Sequence, residues 1–317
     1  MVKLSIGLLD MGYREDNKSP LSTIEEIIEY AVQADELNFS RFWLTEHHDD
    51  DINLSYGSPE MLIALIVGMT EKIKVGAAGV LAKIHEPYFT ASNFKLLNNL
   101  FSNRIDLGLA KSNPDNHYLT NQVYDINDEK LFERKAKTIY DLLHKEVENL
   151  EKNQLVLPPF KGMLPDLWYL SVSYRNFPDA IKYKMNYCRS VLHGKGLIEV
   201  NYNKDELMMY KEMFYNVHNV EPKVTLALGI SYDPSGSNKT IPTTSKFAAT
   251  KNSNTIFINS MNQLHDLLFK YQDLYGIDEF IIMDTEGNNG KKIQNIQAIS
   301  DLFNLKKELV NETAKII

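Results

Sequence analysis

Cysteine is almost absent from this chain of 317 residues, because Cys188 is the only one. A single cysteine cannot form an internal disulfide bond, which is typical of a protein from a reducing compartment. Long apolar runs are absent as well: the longest, residues 61–69, is about half of what a bilayer-spanning helix needs. The apolar segment at the N-terminus is too short for a signal peptide. We therefore expect a cytoplasmic protein without a membrane partner.

Positive charge is also scarce in this chain. The 34 basic residues against 42 acidic ones give a formal net charge of −8. No cluster of lysine and arginine has the density that binding to a phosphate backbone requires, so nucleic acid is not an expected partner. The glycine-rich signatures of dinucleotide-binding and P-loop folds are missing too. A nucleotide held by such a glycine loop is therefore not indicated.

What the chain does have is a regular alternation of apolar strand patterns with amphipathic helix patterns. Strands that are apolar on both faces are typical of a parallel sheet covered by helices. At this length a closed barrel accommodates them in one domain. The predicted fold class is therefore α/β, a (β/α)8 TIM barrel in a single domain spanning residues 1–317. The eight predicted strands are residues 3–9, 42–46, 73–79, 105–110, 167–173, 189–193, 224–230 and 279–283.

Two helix starts and one long loop can also be predicted. Ser22 followed by Glu25 forms a capping-box pattern, so Ser22 is expected to cap the first helix. Ser58 is expected to cap the second helix, with Pro59 at its first position. The polar stretch 233–254 predicts a long loop after the seventh strand, which could close over a site as a lid.

Titratable side chains follow the second predicted strand, in the sequence RFWLTEHHDDD at residues 41–51. Strand ends are where barrel enzymes place their catalytic groups, which makes Glu46 and His47 candidates. Because side chains alternate along a strand, only one of His47 and His48 is expected to face the site. Two alternatives stay open: the pair could be satisfied by neighbouring carboxylates, or it could bind a metal ion. Metal-dependent barrel hydrolases usually place their two histidines one residue apart, so no metal site is predicted.

Polar side chains also follow the fourth and fifth predicted strands. Lys111 stands directly after the fourth strand, where its ammonium could meet an anion or remain solvated. After the fifth strand come Ser171, Ser173, Arg175 and Asn176, just before a predicted helix start. Hydroxyl groups, a guanidinium and free backbone N–H groups at a helix N-terminus can bind phosphate. The alternative is an ordinary helix cap beside a surface arginine.

Three glycines and the cysteine complete the candidate site. Gly76, Gly79 and Gly108 lie in or at the ends of the third and fourth predicted strands. A missing side chain weakens a strand unless another group must approach closely, and a flat ring could lie there. Cys188 is interpreted as a small core residue rather than a catalytic one.

Taken in order, several segments closely resemble the bacterial luciferase-like flavin-dependent monooxygenase family. The strongest are RFWLTEHH at 41–48, SPEMLIALIVGMTEKIKVGAAGV at 58–80, His85 with Pro87, and NRIDLGLA at 103–110. Weaker similarity continues at 165–173 and 258–284. The resemblance therefore covers nearly the whole chain and is strongest in its first third.

The resemblance implies a barrel that binds reduced FMN, or less commonly a deazaflavin, at the carboxyl ends of its strands. His47 matches the family's catalytic or flavin-proximal histidine, with Glu46 beside it. Ala77, Ala78 and Gly79 match the segment behind the isoalloxazine ring. Members often carry a cis peptide bond in that segment, and we place it at Ala78–Gly79.

The resemblance also implies a phosphate site. Its basic residue after the fourth strand matches Lys111, and its hydroxyl and amide groups after the fifth match Ser173 and Asn176. This chain departs from the pattern, because Ala110-Lys111 replaces a glycine-arginine pair. Lysine offers a point charge in place of a bidentate fork, so part of the phosphate binding is expected to pass to Arg175.

The expected function is a flavin-dependent oxidoreductase, foremost a monooxygenase that acts on an organic substrate with O2 and with reduced FMN from a separate flavin reductase. His47 would be the proton donor or base, since imidazole exchanges protons near neutral pH. One alternative is a reductase of activated C=C bonds, such as dehydroamino acids in a modified peptide. Another is a non-catalytic flavin-binding protein. A homodimer is expected, and the apolar helix at 61–69 is compatible with its interface.

Overall fold

The computed structural model describes residues 3–308 of the chain, apart from residues 16, 49, 115, 193–203 and 236–253. The strands are β1 Ser5–Asp10, β2 Arg41–Leu44, β3 Lys74–Leu81, β4 Ile105–Ala110, β5 Asp166–Ser171, β6 Asn186–Ser190, β7 Val224–Tyr232, β8 Thr255–Ile258 and β9 Glu279–Asp284. The α-helices are α1 Pro20–Glu36, α2 Glu60–Met69, α3 Pro87–Leu100, α4 Leu131–His144, α5 Glu146–Asn153, α6 Phe177–Lys182, α7 Lys204–His218, α8 Met261–Tyr275 and α9 Asn289–Phe303.

Eight parallel strands close into a barrel. Each of β1 to β6 pairs with the next strand along the chain, β7 pairs with β9, and β9 closes the ring on β1. Strand β1 pairs Leu8 with Phe42 of β2 and Ile6 with Phe280 of β9, and the register of β3 against β4 shifts between Ala77 and Val80. The helices between the strands cover the outside. The predicted (β/α)8 barrel is therefore confirmed.

The short strand β8 was not predicted, because it has only four residues and follows a polar stretch. It pairs in parallel with the second half of β7, in the register Gly229↔Thr255 to Tyr232↔Ile258. The first half of β7 pairs with β6 instead. Strand β8 therefore continues the β6 side of the barrel towards its carboxyl end.

A charged and aromatic cluster fills the amino-terminal half of the barrel interior. The Arg41 guanidinium donates to Asp106 at 2.5 Å and to Glu279 at 2.7 Å. The indole N–H groups of Trp43 and Trp168 donate to the two oxygens of Asp106 at 2.8 and 3.2 Å. Arg41, Asp106 and the two tryptophans are buried, Glu279 is partly exposed, and the charged groups pair with one another, as buried charges must. They leave space in the interior only near the carboxyl ends of the strands.

Several predicted boundaries need correction. Helix α1 is capped by Ser19, whose hydroxyl accepts from the backbone N–H of Ser22 at 3.1 Å, so Ser22 is already inside the helix. Pro59 occupies the cap position of α2 rather than the first helical one. Strand β6 begins three residues earlier than predicted and ends at Ser190. Most of the predicted lid, residues 236–253, lies outside the described residues.

Among the helices in the described part of the chain, none combines the length and the apolar character that crossing a bilayer requires.

Candidate active site

A cavity of about 450 Å³ opens at the carboxyl end of the barrel. This volume lies within the range of small-molecule sites, roughly 300–1,000 Å³. Its floor is apolar and includes Leu9, Trp43, Leu170 and Ala227, which rest on the charged cluster below. Its rim carries polar groups from the loops that follow the strands. A flat apolar ligand with a polar tail matches this lining.

The third and fourth strands approach each other closely beside this cavity. A Cβ atom added to Gly108 would lie 2.2 Å from the Ala77 carbonyl oxygen, and one added to Gly79 would lie 2.7 Å from the Gly108 oxygen. The Ala78–Gly79 peptide bond is cis, at the position that the family resemblance implied. The glycines are therefore required by the packing of the two strands.

Glu46 is the centre of a hydrogen-bonded cluster on the cavity wall. Its Oε1 lies 2.6 Å from the Nε2 of both His48 and His85, and its Oε2 accepts from the Leu81 backbone N–H at 2.8 Å. Burial alone would raise the pKa of this carboxyl. The hydrogen bonds from the two imidazoles outweigh burial and lower the pKa of Glu46 to about 2. The carboxylate is therefore ionised at neutral pH.

The cluster also acts on His85. Burial alone would lower the pKa of His85, but the hydrogen bond and charge of Glu46 raise it above the ordinary value. His85 stands on the loop after β3, and His48 lines the cavity. Glu46 thus joins an imidazole at the cavity to a second imidazole on the neighbouring loop.

Both adjacent histidines line the cavity, whereas only one was expected to face it. Strand β2 ends at Leu44, so the alternation of side chains along a strand does not extend to His47 and His48. The ring of His47 is partly buried and lies 6.2 Å from the ring of Tyr13, and its backbone N–H donates to the Gly57 oxygen at 3.4 Å. The loop after β2 therefore places two imidazoles on the same wall.

The residues predicted to bind phosphate are only partly brought together. Lys111 and Asn176 line the cavity with Ser171, whose hydroxyl accepts from the Asn176 amide at 3.1 Å. Ser173 does not line it, and its carbonyl accepts from the Tyr187 hydroxyl at 2.5 Å. Arg175 is exposed to solvent and is not part of the wall.

The other predicted residues divide in a similar way. Ala78 and Gly79 line the cavity with Glu46 and His47. Ala77 does not line it and is fully buried in the main hydrophobic core. The roles of Ala77, Ser173 and Arg175 as flavin ligands stay predictions that this geometry does not support.

His85 and Ser171 were left out of the predicted site residues. The first belongs to the segment that carried the family resemblance, and the second was noted with the polar group after the fifth strand. Neither position reveals from sequence alone that its side chain reaches Glu46 or the cavity.

Cys188 reaches the floor of the cavity, but burial raises the pKa of its thiol to about 12, which keeps it protonated. Within the described residues, no group of three His, Cys, Asp or Glu side chains has a metal-binding arrangement. The apolar floor, the Lys111 ammonium and the Ser171 and Asn176 side chains do suit a flavin with its phosphate tail.

Comparison with known sequences finds similarity to luciferase-like monooxygenases over part of the chain. A family profile described as luciferase-like monooxygenase matches residues 6–134. The uncharacterised protein YceB of Bacillus subtilis is 30% identical over 54% of this chain and 52% of its own length. N-acetyl-S-alkylcysteine monooxygenase of the same organism is 33% identical over 35% of this chain and 33% of its own length. The chain thus spans about half the length of the first of these relatives and a third of the second.

Comparison with solved structures supports the fold. Apo-MsnO8 has a TM-score of 0.80 at 20% identity and covers 95% of this chain and 99% of its own. The oxygenating constituent of 3,6-diketocamphane monooxygenase from Pseudomonas putida, in complex with FMN, has a TM-score of 0.65 at 14% identity, covering 94% and 96%. An F420-dependent secondary alcohol dehydrogenase has a TM-score of 0.66 at 10% identity, covering 97% and 100%. At these identities the likeness shows the barrel fold alone.

Proposed function

We propose that this chain is a luciferase-like, flavin-dependent monooxygenase that uses reduced FMN and O2 to oxidise an organic substrate. The profile of luciferase-like monooxygenases that matches residues 6–134 supports this proposal. One observation carries the proposal. The imidazoles of His47 and His48 line an apolar cavity of about 450 Å³, and the ionised Glu46 carboxylate holds His48 there by a hydrogen bond of 2.6 Å. Such a site can shelter a reactive cofactor from water and keep a proton donor next to it.

Bound reduced FMN would supply the electrons and the position at which oxygen reacts. The apolar floor around Trp43 and Leu170 would contact its ring system and exclude water. Lys111, Ser171 and Asn176 would bind its phosphate, since they are the cationic, hydroxyl and amide groups of the wall. Two structural relatives frame the choice of cofactor: one is a complex with FMN and another is F420-dependent. A deazaflavin is therefore the second candidate.

Within this site His47 is the proposed proton donor or base, because its imidazole lines the cavity and exchanges protons near neutral pH. Glu46 contacts no ligand in this proposal. It positions His48 and His85 by accepting a hydrogen bond from each. The ionised carboxylate also raises the pKa of His85, so this imidazole can hold a proton on the loop beside the cavity.

The first experiment is a titration of the purified protein with FMN, FAD and F420, followed by intrinsic and flavin fluorescence. Saturable binding of FMN in preference to F420 is expected. Turnover of reduced FMN is then measured in air and under anaerobic conditions. Product formation that requires oxygen supports the monooxygenase, whereas reduction of an activated C=C bond without oxygen would establish the alternative reductase. Flavin that binds but stays inert in both would contradict enzymatic activity.

The proposal extends to substrate and partners. One relative is named N-acetyl-S-alkylcysteine monooxygenase, which makes N-acetyl-S-alkylcysteines the first substrates to test. A small-molecule substrate suits the cavity volume better than a peptide, which would have to enter as a single side chain. A separate flavin reductase is the proposed source of reduced FMN. Adding a reductase with NADH should replace chemically reduced FMN in the assay.

A further inference from the structure

Two lysines stand on neighbouring loops at one edge of the cavity, and of these two only Lys111 was expected to bind an anion. Lys111 follows β4 and lines the cavity. Lys83 follows β3, and its ammonium donates to the Asn113 side-chain oxygen at 2.8 Å. Asn113 itself lines the cavity. Strands β3 and β4 are paired up to Leu81↔Ala110, so the loops that carry the two lysines are neighbours.

The charges at this edge are unbalanced. Burial and the charge of Lys111 both lower the pKa of Lys83, as expected for like charges held close together. Among the residues that the structure describes, no carboxylate pairs with the Lys83 ammonium, whose hydrogen-bond partner is the neutral Asn113. An anion between the two ammonium groups would remove this repulsion.

Lys111 alone is a weak anion site. Its ammonium lies 3.9 Å from Glu133 on α4, and both side chains are largely exposed. Burial and Glu133 raise the pKa of Asp179 on α6, and the positive charge of Lys111 opposes that rise. These two carboxylates offset part of the positive charge that a ligand would meet. Lysine also lacks the second donor that an arginine would direct at a phosphate.

We propose that Lys83, Lys111 and Asn113 form an anion subsite that takes a phosphate monoester or a carboxylate at the edge of the cavity. The subsite rests on the proposed function, because the anion would be the phosphate of the flavin or a carboxylate of the substrate. Lys83 supplies the second positive charge and can keep its bond to Asn113, since an ammonium has three donors.

The test compares FMN with riboflavin, which lacks the phosphate, in the wild type and in Lys83→Gln. Affinities are measured by flavin fluorescence in low salt and again in high salt. Loss of one charge-assisted hydrogen bond should weaken FMN binding about tenfold in the variant. Riboflavin binding should change less than about twofold, because the remaining contacts are untouched. The effect on FMN should shrink as salt rises.

Matched variants separate charge from structure. Lys83→Arg keeps the positive charge and should restore FMN binding. Lys152→Gln makes the same change of net charge at an exposed lysine paired with Glu148 on α5, and should leave the ratio of FMN to riboflavin affinity unchanged. Melting temperatures of all variants show whether each one folds.

A second arm asks whether the anion is a carboxylate. Protein saturated with FMN is titrated with sodium acetate, against sodium chloride at equal ionic strength, and the flavin absorption spectrum is followed. A response to acetate that Lys83→Gln abolishes assigns the subsite to a carboxylate, whereas loss in the FMN arm assigns it to the flavin phosphate. If Lys83→Gln alters neither arm, the subsite is wrong. If no flavin binds but inorganic phosphate still raises the melting temperature through Lys83, the proposed function fails and the subsite stands.

Discussion

Glu46 shows how one residue's surroundings decide its chemical state. The side chain is almost fully buried, which by itself favours the protonated acid. Two imidazole donors and one backbone N–H reverse that preference. The carboxylate therefore persists in a site whose floor is apolar, and its negative charge raises the pKa of His85.

A pH dependence of stability follows for Glu46. Because its pKa falls from 4.5 to about 2 on folding, its stabilisation is present above about pH 4.5 and is lost as the pH falls through 2. The shift corresponds to on the order of 3 kcal/mol in the free energy of unfolding. We expect the urea midpoint of the wild type to drop between pH 5 and 2 by more than that of Glu46→Gln.

The control for this prediction is Glu148→Gln, which removes an exposed carboxylate paired with Lys152 on α5. Its pH dependence should match that of the wild type, since exposed ion pairs contribute about 1 kcal/mol or less. A second measurement is the NMR titration of His85, because Glu46→Gln should lower the pKa of this imidazole. An unchanged His85 titration would show that the carboxylate does not control the cluster.

His47 can be tested separately from its neighbour. We expect His47→Ala to keep the fold and flavin binding but to lose turnover by about 100-fold or more, the usual contribution of a general acid or base. His265→Ala, at a partly exposed histidine on α8, serves as the control. Steady-state rates with reduced FMN and circular dichroism decide the outcome. If His48→Ala loses turnover and His47→Ala does not, the proton donor is His48.

The sequence supported this site only in part, for reasons that particular residues make clear. Glu46 and His47 could be predicted because a strand end and a family motif coincide there. The link from Glu46 to His85 could not, because it joins loops 39 positions apart and depends on side-chain direction. Ser173 and Arg175 were predicted ligands, but the chain turns after Ser171 and directs neither of them into the cavity wall.

At the scale of elements, the strand pairing of β3 with β4 depends on glycine. A Cβ on Gly108 would lie 2.2 Å from the Ala77 carbonyl oxygen, which is backbone and cannot move without disturbing the pairing. Gly76 is similarly placed, with the Asp106 oxygen 2.3 Å from its added Cβ. These strands carry Ala78 and Gly79 on the cavity wall, so their spacing sets the width of the site.

Substitution of these glycines should therefore differ from substitution elsewhere. We expect Gly108→Ala to lower the free energy of unfolding by about 1–3 kcal/mol or more, as overpacked sites do. Gly68→Ala, in α2, should instead raise the free energy of unfolding by about 0.5–1 kcal/mol, because its Cβ would make only ordinary van der Waals contact and alanine favours helix. The nearest atoms to that Cβ belong to Phe101 at 3.8 Å. Urea unfolding measures both, and equal effects would contradict the packing argument.

Element prediction succeeded where strands are long and apolar on both faces, as in β3, β4 and β7. It failed where packing rather than pattern decides. Strand β8 forms because β7 extends beyond the end of β6. The backbone groups of the second half of β7 are then available to pair with another strand. Its sequence TIFI is too short to be told from a loop. The missed start of β6 has a similar cause, since Asn186 and Tyr187 interrupt the apolar pattern yet pair with β5.

At the scale of the whole molecule, the barrel is closed at one end and open at the other. Arg41, Asp106 and Glu279 come from three different strands, and with Trp43 and Trp168 they fill the amino-terminal half. The cavity therefore lies only at the carboxyl ends, where the loops carry Glu46, Lys83 and Lys111. This division separates residues that stabilise the barrel from those available for binding.

The outer surface carries an apolar face formed by α2 and α3. Its most exposed side chains are Met61, Leu65 and Met69 on α2, and Phe89, Leu96 and Leu100 on α3. The helices are neighbours, as the contact of Asn93 with Glu60 at 3.4 Å shows. The only charged residue within α3 is Lys95, which is fully buried, and residues 61–69 contain none.

A second copy of this chain is the expected occupant of that face. Glu60 is the one charged residue of α2 and α3 besides the buried Lys95, so this face has little charge with which to select a different partner. A two-fold contact places the same apolar stripes against each other. We expect a dimer by sedimentation velocity at micromolar concentration. The double substitution Leu65→Asp with Leu96→Asp should convert it to a monomer, because each copy would place two charges in an apolar interface.

Met208→Asp with Met209→Asp, at comparably exposed apolar positions on α7, should leave the dimer intact. Monomeric wild-type protein across the whole concentration range would show that the face serves another purpose, and equal loss of the dimer in both double variants would show that charge alone disrupts it.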